Sequence, residues 1–183
     1  MPAPHHLVLV GAMGVGKSTV GALLAGQLGR PLVDSDAVLA AAGDSAAAIA
    51  RRDGVAALHA RECDLLLGAL ADPEPAVVAA AASVVERPAC RAALGRVFVA
   101  WLRASPARLV ARGAGAAHRR ELGRDPVAAV AALERHRAPL YREVADVTVD
   151  VDGLAPPEVA RAVTAAFATA QRGGRGLAPG RGG

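Results

Sequence analysis

Eight residues near the start of the chain have types and spacing that fit phosphate chemistry: Gly11-Ala12-Met13-Gly14-Val15-Gly16-Lys17-Ser18. They satisfy the pattern G-x-x-x-x-G-K-[ST] at every fixed position. Glycines let successive backbone N–H groups curl around phosphate oxygens, and a helix starting at the lysine adds its positive dipole end. Lys17 would reach the β- and γ-phosphates and the Ser18 hydroxyl would face a Mg²⁺ ion. Gly14, Val15, Gly16, Lys17, Ser18 and Thr19 are therefore the candidate nucleotide-binding residues, with ATP and Mg²⁺ as the implied ligands. A second set follows in Asp34-Ser35-Asp36. If that segment stays extended, its carboxylates share a side. One would hold Mg²⁺ through water and the other take a proton from an attacking hydroxyl. An Asx-type turn opening the next helix is the other reading of the same residues.

The elements that must place these residues can be read from the apolar pattern. Leu7–Val10 is a short apolar run ahead of the glycines, as in a strand covered on both faces. A helix is expected from Lys17 to Leu28, stopped by Gly29. Strands are expected at 31–33, 76–79, 97–102 and 147–149. Helical patterns cover about 44–70 with an interruption at Asp53-Gly54, a segment opened by Ser105-Pro106, 125–143, and 157–170. Ser105 and Asp125, each followed by proline, are N-cap signals. Strands alternating with helices imply an α/β fold, a parallel sheet with helices on both faces. The basic, glycine-rich stretch 113–124 reads as a mobile lid. Residues 1–171 read as one kinase domain and 172–183 as a disordered Gly/Arg-rich tail.

Composition narrows the classes further. The chain has 183 residues, 53% of them hydrophobic and 21% charged, enough to bury a core and too apolar for general disorder. Aromatics are only 2%, which leaves little material for stacking nucleic-acid bases. The net charge of +4 owes much to arginines in the tail, so nucleic acid is not an expected partner. Lys17 is the single lysine, which excludes the Asn-Lys-x-Asp segment of guanine-specific proteins. No apolar run reaches the roughly 18 residues of a membrane span, and the first residues lack a secretory leader's pattern. Cys63 and Cys90 read as a pair of buried or half-buried thiols. A cytoplasmic, monomeric small-molecule kinase with a lid that excludes water is expected.

Beyond these motifs, Arg137-Ala138-Pro139-Leu140-Tyr141 followed by Ala145-Asp146 completes a set that resembles the shikimate kinase family. The resemblance covers about residues 6–170. It implies a five-stranded P-loop sheet of order 2-3-1-4-5 and ATP-dependent phosphorylation of the 3-hydroxyl of shikimate, a step toward aromatic amino acids. By resemblance, Lys17 and Ser18 take the phosphate and Mg²⁺ positions, Asp34 the metal-side acid and Asp36 the acid at the substrate hydroxyls. Arg137 matches the grip on the substrate carboxylate, Arg119 the lid arginine at the transferring phosphate, and Arg112 the arginine that stacks on adenine. Guanidinium groups suit these roles, since their forks match carboxylate and phosphate oxygens.

Three departures fall on the acceptor side. Leu58-His59 stands where the family has Phe-Arg, a second carboxylate clamp, and histidine offers no bidentate fork. Glu62, three residues on, is expected to face His59. Ala81-Ala82-Ser83 replaces a triple glycine, placing Ala82 and Ser83 at substrate-binding positions with side chains where none are usual. The lid reads Arg119-Arg120-Glu121-Leu122 instead of Arg-Pro-Leu-Leu. A kinase of the same fold acting on another small hydroxylated metabolite, or a catalytically weak ATP-binding relative, is the alternative these changes raise.

Overall fold

The computed structural model describes residues 6–113 and 125–172. Five strands form one parallel sheet in the order β2-β3-β1-β4-β5: β1 Leu7–Val10, β2 Leu32–Asp34, β3 Val77–Ala79, β4 Phe98–Arg103 and β5 Val147–Asp150. β1 lies at the centre, with Leu7 opposite Val77 on one side and Phe98 on the other. All four β1 residues are buried, which explains an apolar run without alternation. Successive side chains still point to opposite faces. Leu7 and Leu9 join Leu102, Leu109 and Phe167 in one core, while Val8 and Val10 join Val99, Trp101 and Tyr141 in the other.

The helices are α1 Lys17–Leu28, α2 Ser35–Ala41, α3 Ala46–Asp53, α4 Val55–Ala71, α5 Pro88–Leu94, α6 Pro106–Ala111, α7 Pro126–Val144 and α8 Pro156–Arg172. A 3₁₀ turn, Val84–Glu86, precedes α5. α1 and α8 cover the first face; α4, α5 and α7 cover the second. The expected caps form: Ser105 accepts from the Arg108 amide and Asp125 from the Ala128 amide. α8 runs through Arg172, one residue into the stretch assigned to the tail. The rest of that tail, the lid segment from 114 to 124, and Arg119 within it lie outside the described residues. A small separate core of Leu39, Ile49 and Leu58 joins α2, α3 and α4 beside the sheet.

Two expectations are corrected. The Asp34-Ser35-Asp36 segment does not stay extended: β2 ends at Asp34 and α2 starts at Ser35. The Asp34 Oδ1 accepts the amides of Asp36 (3.0 Å) and Ala37 (3.3 Å), so the Asx cap of the next helix is realised. Cys63 and Cys90 are not separate thiols. They form a disulfide between α4 and α5, with Cα atoms 6.3 Å apart. Among the described residues, no helix is long and apolar enough to cross a membrane.

Candidate active site

The phosphate loop leaves the carboxyl end of β1 and turns into α1. Gly11 has φ 140°, and a Cβ there would overlap the Leu102 carbonyl oxygen of β4, so only glycine fits. Gly16, the N-cap of α1, has φ 111° and gives the helix no side-chain cap. The first amides of α1 therefore have no side-chain partner there, as an anion-binding helix start requires. Lys17 folds back over the loop, its Nζ donating to the carbonyls of Gly11 and Ala12 at 2.8 Å each. Burial lowers its pKa to about 8 against the raising pull of Asp36, Asp34 and Glu134. Val15 contributes differently from its neighbours. Its side chain is buried, its amide donates to the Ala12 carbonyl (3.3 Å), and its carbonyl accepts from Arg112 Nη1 (3.4 Å).

Lys17, Ser18, Thr19, Asp34, Asp36 and Ala82 open onto one cavity of about 420 Å³, together with Gly14, Gly16, Glu62 and Arg112. The parallel sheet explains this gathering, since every strand delivers its loop to the same edge. Asp34 and Asp36 still meet at the cavity despite the helix, because they occupy the N-cap and first turn of α2. Arg112, the C-cap of α6, also borders a smaller apolar hollow beside Val15, Leu154 and Pro156. That hollow is about 30 Å³, roughly the space of one water molecule, so it places Arg112 beside the loop without forming a base pocket by itself. The Ser18 hydroxyl and the Asp34 carboxylate are hard oxygen donors on the cavity wall. They fit Mg²⁺, which takes few protein ligands and completes its shell with phosphate and water.

The acceptor-side residues are distributed less simply. Ala82 lines the cavity, and its carbonyl accepts from the buried Tyr141 hydroxyl at 2.9 Å. Ser83 is buried, its hydroxyl donating to the carboxylate of Glu62, which lines the cavity. Burial pushes the Glu62 carboxyl above its ordinary range, with the Ser83 bond pulling against it. His59 shares its charge interaction between Glu62, whose carboxyl pKa it pulls down, and Glu86. Its Nδ1 faces the Glu86 Oε2 at 3.7 Å, and the same carboxylate holds Arg137 Nε at 2.8 Å through Oε1. Arg61, also on α4, pairs with Asp53 at 3.1 Å, on a different side of the helix from His59. Glu86 was not legible as a site residue, because no motif links it to Arg137 across 51 positions. Glu134 on α7 was missed too; burial raises its pKa while Arg137 and Lys17 lower it.

A half-buried lysine folded over a glycine loop, with carboxylates opposite on the same cavity, defines a P-loop phosphotransferase. The comparisons make this more specific. The family model for shikimate kinase matches residues 13–168. A shikimate kinase of Symbiobacterium thermophilum is 42% identical over 80% of this chain and 87% of its own length. One of Halorhodospira halophila is 39% identical over 90% and 94%. Among solved structures, shikimate kinase from Acinetobacter baumannii in complex with shikimate superposes with a TM-score of 0.82 at 26% identity, covering 91% of this chain and 94% of that one. The chain belongs to the shikimate kinase family.

Proposed function

We propose that this chain transfers the γ-phosphoryl group of ATP to the 3-hydroxyl of shikimate, giving shikimate 3-phosphate and ADP. The observation that carries the reading is the single cavity shared by Lys17, Ser18, Asp34 and Asp36, with Arg112 on its wall. Asp36 orients the acceptor hydroxyl and takes its proton as the oxygen attacks the γ-phosphorus. The new O–P bond forms as the bond to the β,γ-bridging oxygen breaks. Lys17, with Arg119 from the lid, stabilises the charge that spreads over the transferring group. Ser18 and Asp34 would hold Mg²⁺, which supplies charge neutralisation between the β- and γ-phosphates. Arg137 takes the acceptor carboxylate, beside His59, Ala82 and Ser83. On this reading the protein works as a monomer on small molecules in the cytoplasm, without nucleic acid or membrane.

A coupled assay with shikimate, ATP and Mg²⁺ tests the reading. Turnover that saturates in both substrates is expected. Calorimetric uptake of Mg·ATP without turnover of shikimate would overturn it. A second reading, phosphorylation of another small alcohol, is favoured by His59 at the second clamp position; a panel of polyols and sugar acids separates the two.

A further inference from the structure

Resting on that reading, we infer that Glu86 sets the specificity of the acceptor site, as a resident carboxylate that competes with the acceptor's own for Arg137 and His59. The geometry is that of an internal substitute. One Glu86 oxygen lies 2.8 Å from Arg137 Nε and the other 3.7 Å from His59 Nδ1, so a single carboxylate spans both clamp positions. All three side chains are largely withdrawn from solvent, with exposures of 10% for Arg137, 25% for His59 and 26% for Glu86. Neither clamp residue lines the main cavity, whereas Ala82, from the same loop as Glu86, does.

The backbone under Glu86 is fixed. Its amide donates to the Ser83 carbonyl at 2.9 Å, and Arg91 Nη1 donates to the Val85 carbonyl at 2.7 Å. An incoming carboxylate must therefore share Arg137 with Glu86 or swing the Glu86 side chain away. An anion already paired with a guanidinium reduces that group's attraction for a second anion. The histidine at position 59 supplies no permanent charge to offset this. The consequence is a site that discriminates less than two free arginines would between acceptors with and without a carboxylate.

Calorimetric titration tests this with two ligands, shikimate and its analogue bearing a hydroxymethyl group in place of the carboxylate. Each is titrated into the native chain and into Glu86→Gln, which keeps the shape and removes the charge. Glu86→Gln should bind shikimate roughly five- to tenfold more tightly and the analogue unchanged. The KM for shikimate should fall by the same factor, with the KM for ATP unmoved. Glu86→Ala, checked by thermal melting, should act in the same direction and serves if the glutamine variant does not fold. Weaker shikimate binding in both variants, or equal shifts for both ligands, would overturn the inference and make Glu86 a brace for Arg137. Absent turnover in the native chain would sink the shikimate reading alone, because the titrations still report the competition.

Discussion

The two ends of the cavity are built on different physical principles. At the nucleotide end, the ligand is to be held by backbone: amides at the start of α1, a loop shaped by Gly11 and Gly16, and one lysine anchored on the loop's carbonyls. This end rests on the large core that β1 and β4 share with α1 and α8. At the proposed acceptor end, side chains from α4, the 3₁₀ turn and α7 would do the holding, and the adjoining α2–α4 cap has a core of three buried residues. Backbone geometry tolerates few changes, whereas side-chain contacts can be exchanged one at a time. That difference accounts for an intact phosphate loop beside a rearranged clamp.

The comparison breaks first, if at all, at Lys17. Lys17→Ala should lower kcat by about 10³-fold, the scale of losing a preorganised charge at the transferring group. The fold should survive, because removing a buried ammonium relieves a desolvation cost. A coupled assay alongside a thermal melt measures both. A loss confined to KM would mean that Lys17 binds the ground and transition states equally.

The disulfide tests whether the acceptor side needs a staple. Cys63 and Cys90 close a loop of 27 residues, for which chain entropy gives about 3.5 kcal/mol. Reduction, or Cys90→Ala, should lower stability by about that amount in denaturant titrations. Because α4 also carries His59 and Glu62, the KM for the acceptor should shift while that for ATP stays fixed. A matching change in the KM for ATP would show that the two ends are not independent.

A smaller effect comes from titrating Lys17. With its pKa lowered to about 8, the lysine in the free protein loses its charge above that pH, and with it the attraction for the triphosphate. The value of kcat/KM for ATP should fall by about tenfold per pH unit above pH 8. The stability sign runs the other way. Between about pH 8 and 10.5 the unfolded chain binds a proton that the native chain has released, so this group's contribution rises with pH. Declining nucleotide use with no loss of fold in that window would sharpen the assignment. A flat profile would remove Lys17 from triphosphate recognition.

How much of this was legible in the sequence follows the same division. β1, the loop and α1 are local: a short apolar run, then glycines at fixed spacing, then a helix. The caps at Ser105 and Asp125 are equally local, and both formed. The Asp34-Ser35-Asp36 stretch was ambiguous because an extended segment and an Asx cap use the same residues, and tertiary packing of Leu39 on Ile49 and Leu58 supports the helix. What stayed hidden depends on distant elements meeting. Cys63 finds Cys90 only because α4 packs on α5, and Glu86 finds Arg137 only because the 3₁₀ turn lies against α7. Glu62 takes its hydrogen bond from the Ser83 hydroxyl while still feeling the charge of His59, whose nearer carboxylate contact is Glu86.

The smallest expected effect probes the wall between the two ends. Tyr141 is buried, stacks on Trp101 at 5.5 Å between ring centroids, and donates its hydroxyl to the Ala82 carbonyl at 2.9 Å. Burial raises its pKa, so it stays a donor throughout the working pH range. Tyr141→Phe keeps the stacking and removes the hydroxyl's contacts with the Ala82 carbonyl and with Arg137. The cost should be about 1 kcal/mol of stability. Ala82 lines the cavity, so a loosened carbonyl should raise the KM for the acceptor by a few-fold and leave that for ATP within error. If the hydroxyl instead matters equally to both substrates, the loop after β3 belongs to the nucleotide end as much as to the acceptor end, and the boundary between them must be redrawn through Ala82.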